Sequence, residues 1–214
     1  KNENGKKIER MISGGAVGVD TCAKTYANQK NIPFAIQNLV ETVKRSNKDD
    51  EGVSRPPYSL MTGFIGTASI SEALSVNGQH DVAYGLLTQK TYPSWLYSVA
   101  NGASSIWERL NSYTLENGFG GNNSMNSFNH YAYGAIGDWM YRSMVGIDTY
   151  EDGVGYKHIK FMPHIGGGFK HAKASLETYY GIVSCGWQVE ANNCLMDVTI
   201  PVNTSATVYI PCKD

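Results

Sequence analysis

Glu108 stands between Trp107 and Arg109, downstream of an Asn101-Gly102-Ala103 turn and of Tyr92-Pro93-Ser94-Trp95. A carboxylate can take a proton from water while a neighbouring aromatic ring packs on the apolar face of a sugar, so this grouping suits general-base hydrolysis of a glycoside. The triplet also reads as an ordinary Glu-Arg pair at the rim of a helix, because charged side chains are mostly solvated wherever they fall. Trp95 and Trp107 are the rings that could stack on a sugar; equally, each could pack a helix-loop junction, since Trp is largely buried in most folds. Asp138, next to Trp139, either lines the same site or pairs with Arg142 one helical turn on.

The remaining polar candidates read as structural. Asp81 follows a Gly-containing turn and suits a helix N-cap, Glu116 lies in a Gly- and Asn-rich loop, and His80 reads as a turn residue. His158, His164 and His171 lack the spacing of metal ligands, and Cys22, Cys185, Cys194 and Cys212 lack a C-x-x-C pair. No metal, cofactor or disulfide framework is expected.

These residues need a scaffold. With 214 residues and 42% hydrophobic content the chain can build one large or two small cores. A net charge of -1 with 17% charged residues leaves no electrostatic footprint for nucleic acid or an anionic membrane surface. The 14 Tyr, 6 Phe and 4 Trp beside 23 Gly suit ring-bearing surfaces on tight loops. No stretch approaches the ~20 apolar residues of a membrane span, and the polar start lacks the apolar centre of a signal peptide. A cytoplasmic location is therefore favoured over the alternatives, with compartment and oligomeric state otherwise open.

Three regions differ in pattern. Residues 1–36 read as strand, Gly-rich loop, helix and strand, with a further helix carrying Ile36, Leu39, Val40 and Val43 at 3- and 4-residue spacing. The charged, Gly- and Pro-bearing stretch that follows marks a surface loop. Residues 37–154 alternate helices with long loops. Short helices are expected at 69–76 and 81–89, broken by Asn77-Gly78 with Gly as C-terminal cap, and a longer one at 127–145, where Phe128, Ala132, Ala135, Ile136, Trp139 and Met140 form one apolar stripe. Residues 155–214 change period. Runs rich in Val, Ile, Thr and Tyr at 157–161, 174–179, 182–189, 195–200 and 206–210 predict a small antiparallel β-sandwich.

The segments LMTGFIGT, TYPSWLYSVANGASSIWERL and MNSFNHYAYGAIGDWMYRSMVGI, followed by GYKHIKFMPHI and TIPVNTSATVYIP, resemble the C-terminal part of glycoside hydrolase family 78, the bacterial α-L-rhamnosidases. The resemblance implies an α+β multidomain chain: part of an (α/α)6 barrel, then a closing β-sandwich. It implies inverting hydrolysis of terminal α-L-rhamnosyl residues, with rhamnose-terminated glycosides as partners. The Glu of the family's Trp-Glu-Arg motif falls on Glu108, the general base, and the His of its Phe-Asn-His-Tyr segment falls on His130, a ligand of sugar hydroxyls. The family's general acid lies in an upstream segment that contains Asp-Cys-Pro and is followed by Gly-Trp-Thr-Gly-Asp; this sequence contains neither. Leu110 also departs, where relatives commonly carry Trp.

Residues 11–34 are similar instead to a Rossmann-like segment of the SLOG superfamily. Gly14, Gly15, Gly18 and Asp20 would then offer a phosphate the N-terminus of a helix, so nucleotide binding is one alternative reading. Non-catalytic glycan binding by the aromatic loops and β domain is the other. The expected organisation is a foreign or half Rossmann-like unit at 1–36, a partial barrel at 37–154 and a β domain at 155–214.

Overall fold

The computed structural model describes residues 33–120, 124–191 and 193–211. It divides into two compact units, Lys1–Ala135 and Ile136–Asp214. Expectations for the Gly-rich loop at 14–20 and its flanking strand and helix lie outside the described residues.

In the first unit, helix α1 (Pro33–Val43) starts earlier than the apolar spacing suggested. Residues 33–36, expected to end a strand, are helical. A proline is tolerated at a helix start because its missing N–H would have no partner there. Leu39 and Val43, one turn apart, are buried as the stripe required. The predicted surface loop after it folds into a minimal hairpin, β1 (Asn47–Lys48) against β2 (Ser54–Arg55). Asp49 organises its turn: one carboxylate oxygen accepts from the N–H groups of Glu51 and Val53, at 3.1 and 2.8 Å, and the other from Arg55 Nε at 2.7 Å.

Helices α2 (Gly63–Ser75) and α3 (His80–Thr88) form the core of this unit. Ile70, Ala73 and Leu74 meet Val82, Ala83, Tyr84, Leu86 and Leu87, all buried. α2 begins at Gly63, six residues before the expected start. Glycines are poor helix formers, but burial of the helix outweighs a propensity cost of ~1 kcal/mol each. Between the helices Gly78 has φ +73°, and the N–H groups of Asn77, Gly78 and Gln79 return to Leu74 and Ser75 carbonyls, the glycine-capped ending read from Asn77-Gly78. Asp81 is not the N-cap; Gln79 holds that position and Asp81 lies in the first turn, where a negative charge still favours the helix dipole. Gly85 is required by contact, since an added Cβ would lie 2.4 Å from the Tyr58 ring.

The expected helix at 127–145 is broken into three kinds of turn. Residues 124–131 are loop, followed by a 3₁₀ turn (Ala132–Ala135), a short α5 (Ile136–Trp139) and a π turn (Met140–Val145). Helix α4 (Trp95–Ala100) precedes the loop. The apolar stripe is real, but the carbonyls of Ser127 and Phe128 and the N–H of His130 are committed to partners in the 105–109 stretch, groups that the first turns of a helix would need.

The second unit is two three-stranded sheets. One has the order β3 (Ile147–Thr149), β4 (His158–Phe161), β8 (Ser205–Val208); the other is β5 (His171–Thr178), β6 (Gly181–Glu190), β7 (Asn193–Thr199). Five predicted strands lie close to their expected positions, and β3 is additional. All pairings are antiparallel except β4 with β8, which run parallel. Val145, Ile147, Ile159, Phe161, Val183 and Cys185 form a common core, which pushes the Cys185 thiol up to about 11. Trp187 closes it, with its indole N–H on the Met144 carbonyl at 2.9 Å. The π turn ends at Gly146 with φ +88°, where a Cβ would meet Pro163 N at 2.3 Å, so only glycine fits.

Burial lowers the pKa of the half-buried His80 below its ordinary value, against opposing pulls from Asp81 and Glu72. The unfolded chain then binds more protons than the folded one in the interval below about pH 6.5, so folding stability falls as pH drops through it. Urea midpoints measured from about pH 7 to pH 5 should decline, and His80→Gln should flatten the decline; equal slopes in both proteins would remove His80 as its source.

Candidate active site

No helix or strand carries Glu108. It sits in the long connection after α4, where backbone polar groups must find partners outside regular structure. Two stretches of that connection supply each other. The His130 N–H donates to the Ile106 carbonyl at 2.9 Å, the Glu108 N–H donates to the Ser127 carbonyl at 2.8 Å, and the Ser105 hydroxyl donates to the Phe128 carbonyl. The Ser127 N–H answers with a 3.0 Å hydrogen bond to Glu108 Oε2. The segment of the expected base is thereby joined to the segment of the expected sugar ligand.

Packing holds the outer part of the connection. Trp107, Tyr113, Phe119 and Phe128 form a closed ring of edge-to-face contacts with centroids 5.2 to 6.5 Å apart. Such pairs add about 0.5–1.5 kcal/mol each beyond the area they bury. Trp107 is only 6% exposed within that ring, and Trp95, 8% exposed, commits its indole N–H to the Tyr133 carbonyl at 2.8 Å. Each indole thus has a packing role in this structure. Leu110, the departure from the family pattern, is buried, and the Ser98 hydroxyl donates to its carbonyl at 2.7 Å.

Around His130 the rings are arranged differently. Phe64 stacks on the imidazole at 4.8 Å and meets Tyr133 edge-on at 5.2 Å, while Tyr131 lies nearly parallel to the imidazole at 5.9 Å and is 87% exposed. His130 itself remains half-exposed. Burial raises the phenol pKa values of Tyr92 and Tyr133, so both remain neutral hydrogen-bond donors through the ordinary pH range. The Arg55 guanidinium lies 4.8 Å above the Tyr92 ring. Phe64 was not singled out in the sequence, and Tyr92 was named there only as part of Tyr92-Pro93-Ser94-Trp95; both lie inside the matching motifs, LMTGFIGT and TYPSW, and position in those motifs was the available signal.

Asp138 belongs to the second unit. Its carboxylate is 66% exposed and faces Arg142 at 3.5 Å, the i,i+4 pairing that was the alternative to a role in the site; Arg142 also holds Asp148 at 3.0 Å. Among the described residues no group of three or more His, Cys, Asp or Glu could hold a metal ion, and no helix is long and apolar enough to cross a membrane.

The family model for the bacterial alpha-L-rhamnosidase 6 hairpin glycosidase domain matches residues 16–144, and that for the bacterial alpha-L-rhamnosidase C-terminal domain matches residues 146–214. An alpha-L-rhamnosidase of Formosa agariphila is 42% identical over 182 residues, covering 84% of this chain and 19% of that protein. One from Streptomyces avermitilis is 40% identical over 208 residues, covering 96% and 20%. Among solved structures, the Streptomyces avermitilis alpha-L-rhamnosidase complexed with L-rhamnose superposes with a TM-score of 0.73 at 36% identity, over 84% of this chain and 16% of that one. The native enzyme of Aspergillus terreus gives 0.70 at 30%, over 89% and 20%. The chain thus spans about a fifth of the length of the relatives it matches. The glycosidase match begins at residue 16, inside the stretch that resembles a Rossmann-like unit, and these matches lend that resemblance no support.

The Phe64 stack has a direct spectroscopic consequence. Ring current from a phenyl group 4.8 Å away shields the imidazole protons, so Phe64→Leu should move the His130 ring resonances downfield while the rest of the spectrum stays dispersed. Unmoved His130 resonances would mean the stack is not populated in solution.

Proposed function

Because the chain belongs to the bacterial α-L-rhamnosidase family, through both its six-hairpin glycosidase domain and its C-terminal domain, we propose that it carries the general-base side of an inverting α-L-rhamnosidase site. Glu108 takes a proton from the water that attacks the anomeric carbon, and His130 binds a hydroxyl of the terminal rhamnosyl residue. The observation that carries this reading is the paired segment: Glu108 Oε2 is held by the Ser127 N–H at 3.0 Å, and three residues on from Ser127 the same stretch presents His130. A base that works on water must be oriented before the reaction, because proton transfer needs the carboxylate within hydrogen-bond reach of its target.

An inverting site separates its two carboxyl groups by ~6.5–9.5 Å, leaving room for water between base and sugar. Glu108 serves the water side of that gap. The acid, which protonates the departing oxygen, belongs to the family segment with Asp-Cys-Pro and Gly-Trp-Thr-Gly-Asp, which this sequence does not contain. A positioned acid or base contributes ~10²–10⁴-fold, so the 214 residues alone should hydrolyse no rhamnoside detectably. The reading as a sugar-binding module without hydrolysis loses support from the burial of Trp95 and Trp107, the two indoles it would have used.

Joining the upstream barrel portion of the Streptomyces avermitilis relative to this chain tests the proposal. With an aryl α-L-rhamnoside the joined protein should turn over and release the inverted anomer, and Glu108→Gln should lower kcat by ~10²–10⁴-fold. Turnover that survives the Gln substitution undiminished would take Glu108 out of the mechanism.

A further inference from the structure

Glu108 is oriented by the main-chain N–H of Ser127, in a stretch with no helix or strand of its own to keep that N–H in place. What fixes the stretch is therefore part of what fixes the base. On the C-terminal side of Ser127, the Phe128 carbonyl and the His130 N–H are tied to Ser105 and Ile106. On its N-terminal side, the side chain of Arg109 reaches across. Its Nε donates to the Met125 carbonyl at 2.7 Å, and its Nη2 donates to Asn126 Oδ1 at 3.2 Å.

The root of that side chain is itself pinned. The Arg109 N–H donates to Ser112 Oγ at 3.2 Å, the Ser112 N–H returns to the Arg109 carbonyl at 3.0 Å, and Ser112 is fully buried. From this anchored turn a planar guanidinium can hold two acceptors at a set separation, which the point charge of a lysine on its flexible stem cannot do. The loop is then closed: Glu108 is covalently next to Arg109, Arg109 grips residues 125 and 126, and the following residue donates to Glu108.

We propose that Arg109 is a positioning residue for the catalytic base. It clamps residues 125–126 so that the Ser127 N–H meets Glu108 Oε2, fixing the carboxylate oxygen that would otherwise turn freely. The Arg of the Trp-Glu-Arg triplet is thus given its role by the 125–127 backbone. The consequence for catalysis rests on Glu108 being the base, whereas the clamp itself can be measured without any reaction.

In this chain, an amide proton bonded to a carboxylate shifts when the carboxylate gains a proton. The Ser127 amide should therefore move upfield on acidification, following Glu108. In Arg109→Ala, the amplitude of that shift should fall at least about threefold, since a hydrogen bond weakens steeply once its distance and angle are lost. Arg109→Lys should fall between the two, and Asn126→Ala, which removes one of the two grips, should lose less than Arg109→Ala. The His130 resonances report whether each variant remains folded. A full-amplitude Ser127 shift in folded Arg109→Ala overturns the proposal; should that variant not fold, full amplitude in both Arg109→Lys and Asn126→Ala overturns it. In the joined protein, Arg109→Lys should lower kcat with KM little changed, and an equal loss in both would also count against it. If the joined protein is inactive with Glu108 intact, the functional reading fails, and the amide shifts still decide the clamp.

Discussion

A buried or constrained backbone without helix or strand must still satisfy its N–H and carbonyl groups, and around Glu108 that requirement is met by pairing the 105–109 and 125–130 stretches. The local course of residues 124–131 follows from it. The pairing takes the Ser127 and Phe128 carbonyls, which would have accepted the first bonds of a helix at 127, and regular helix appears only near the end of the predicted span. It also sets Glu108 and His130 on adjoining segments although 21 residues separate them in the chain, using bonds that depend on main-chain atoms more than on side-chain identity. Hydrophobic contact adds to these bonds through the ring of Trp107, Tyr113, Phe119 and Phe128.

That division of labour explains the fate of the tryptophans. A large ring next to a catalytic carboxylate invites a ligand-stacking role, but a loop of this length needs its own small core, and the indole is the side chain that supplies the most apolar area for it. Trp107 and Trp95 are both buried, Trp107 in the aromatic ring and Trp95 with its indole N–H on the Tyr133 carbonyl. The half-exposed imidazole of His130 stacks on Phe64, with the Tyr131 ring open to solvent beside it.

The second unit is organised by a different constraint. The two three-stranded sheets bury their apolar faces in one shared core that includes Ile159, Phe161, Val183 and Cys185. The turn leading into it demands Gly146, because the backbone of Pro163 occupies the place of any side chain. The parallel pairing of β4 with β8 joins strands far apart in sequence, a contact that no hairpin signal announces.

The sequence by itself determined a good deal. Period-two alternation in Val- and Thr-rich runs located five strands, Asn77-Gly78 marked the end of α2, and the order of long motifs identified the family and placed Glu108 and His130 within it. Each of these depends on neighbours within a few residues or on extended similarity. Other features were decided only in three dimensions. The helix expected at 127–145 had the right apolar stripe, but periodicity records which face is buried and says nothing of where backbone N–H groups go. The start of α2 at Gly63 depended on burial of the helix outweighing the low propensity of Gly63 and Gly66. Asp138 stood equally between site and ion pair, and only the fold shows its carboxylate 3.5 Å from Arg142. Arg109 looked like half of an ordinary surface pair beside Glu108, and its reach to residues 125 and 126 is a long-range contact, set by the fold and invisible to spacing.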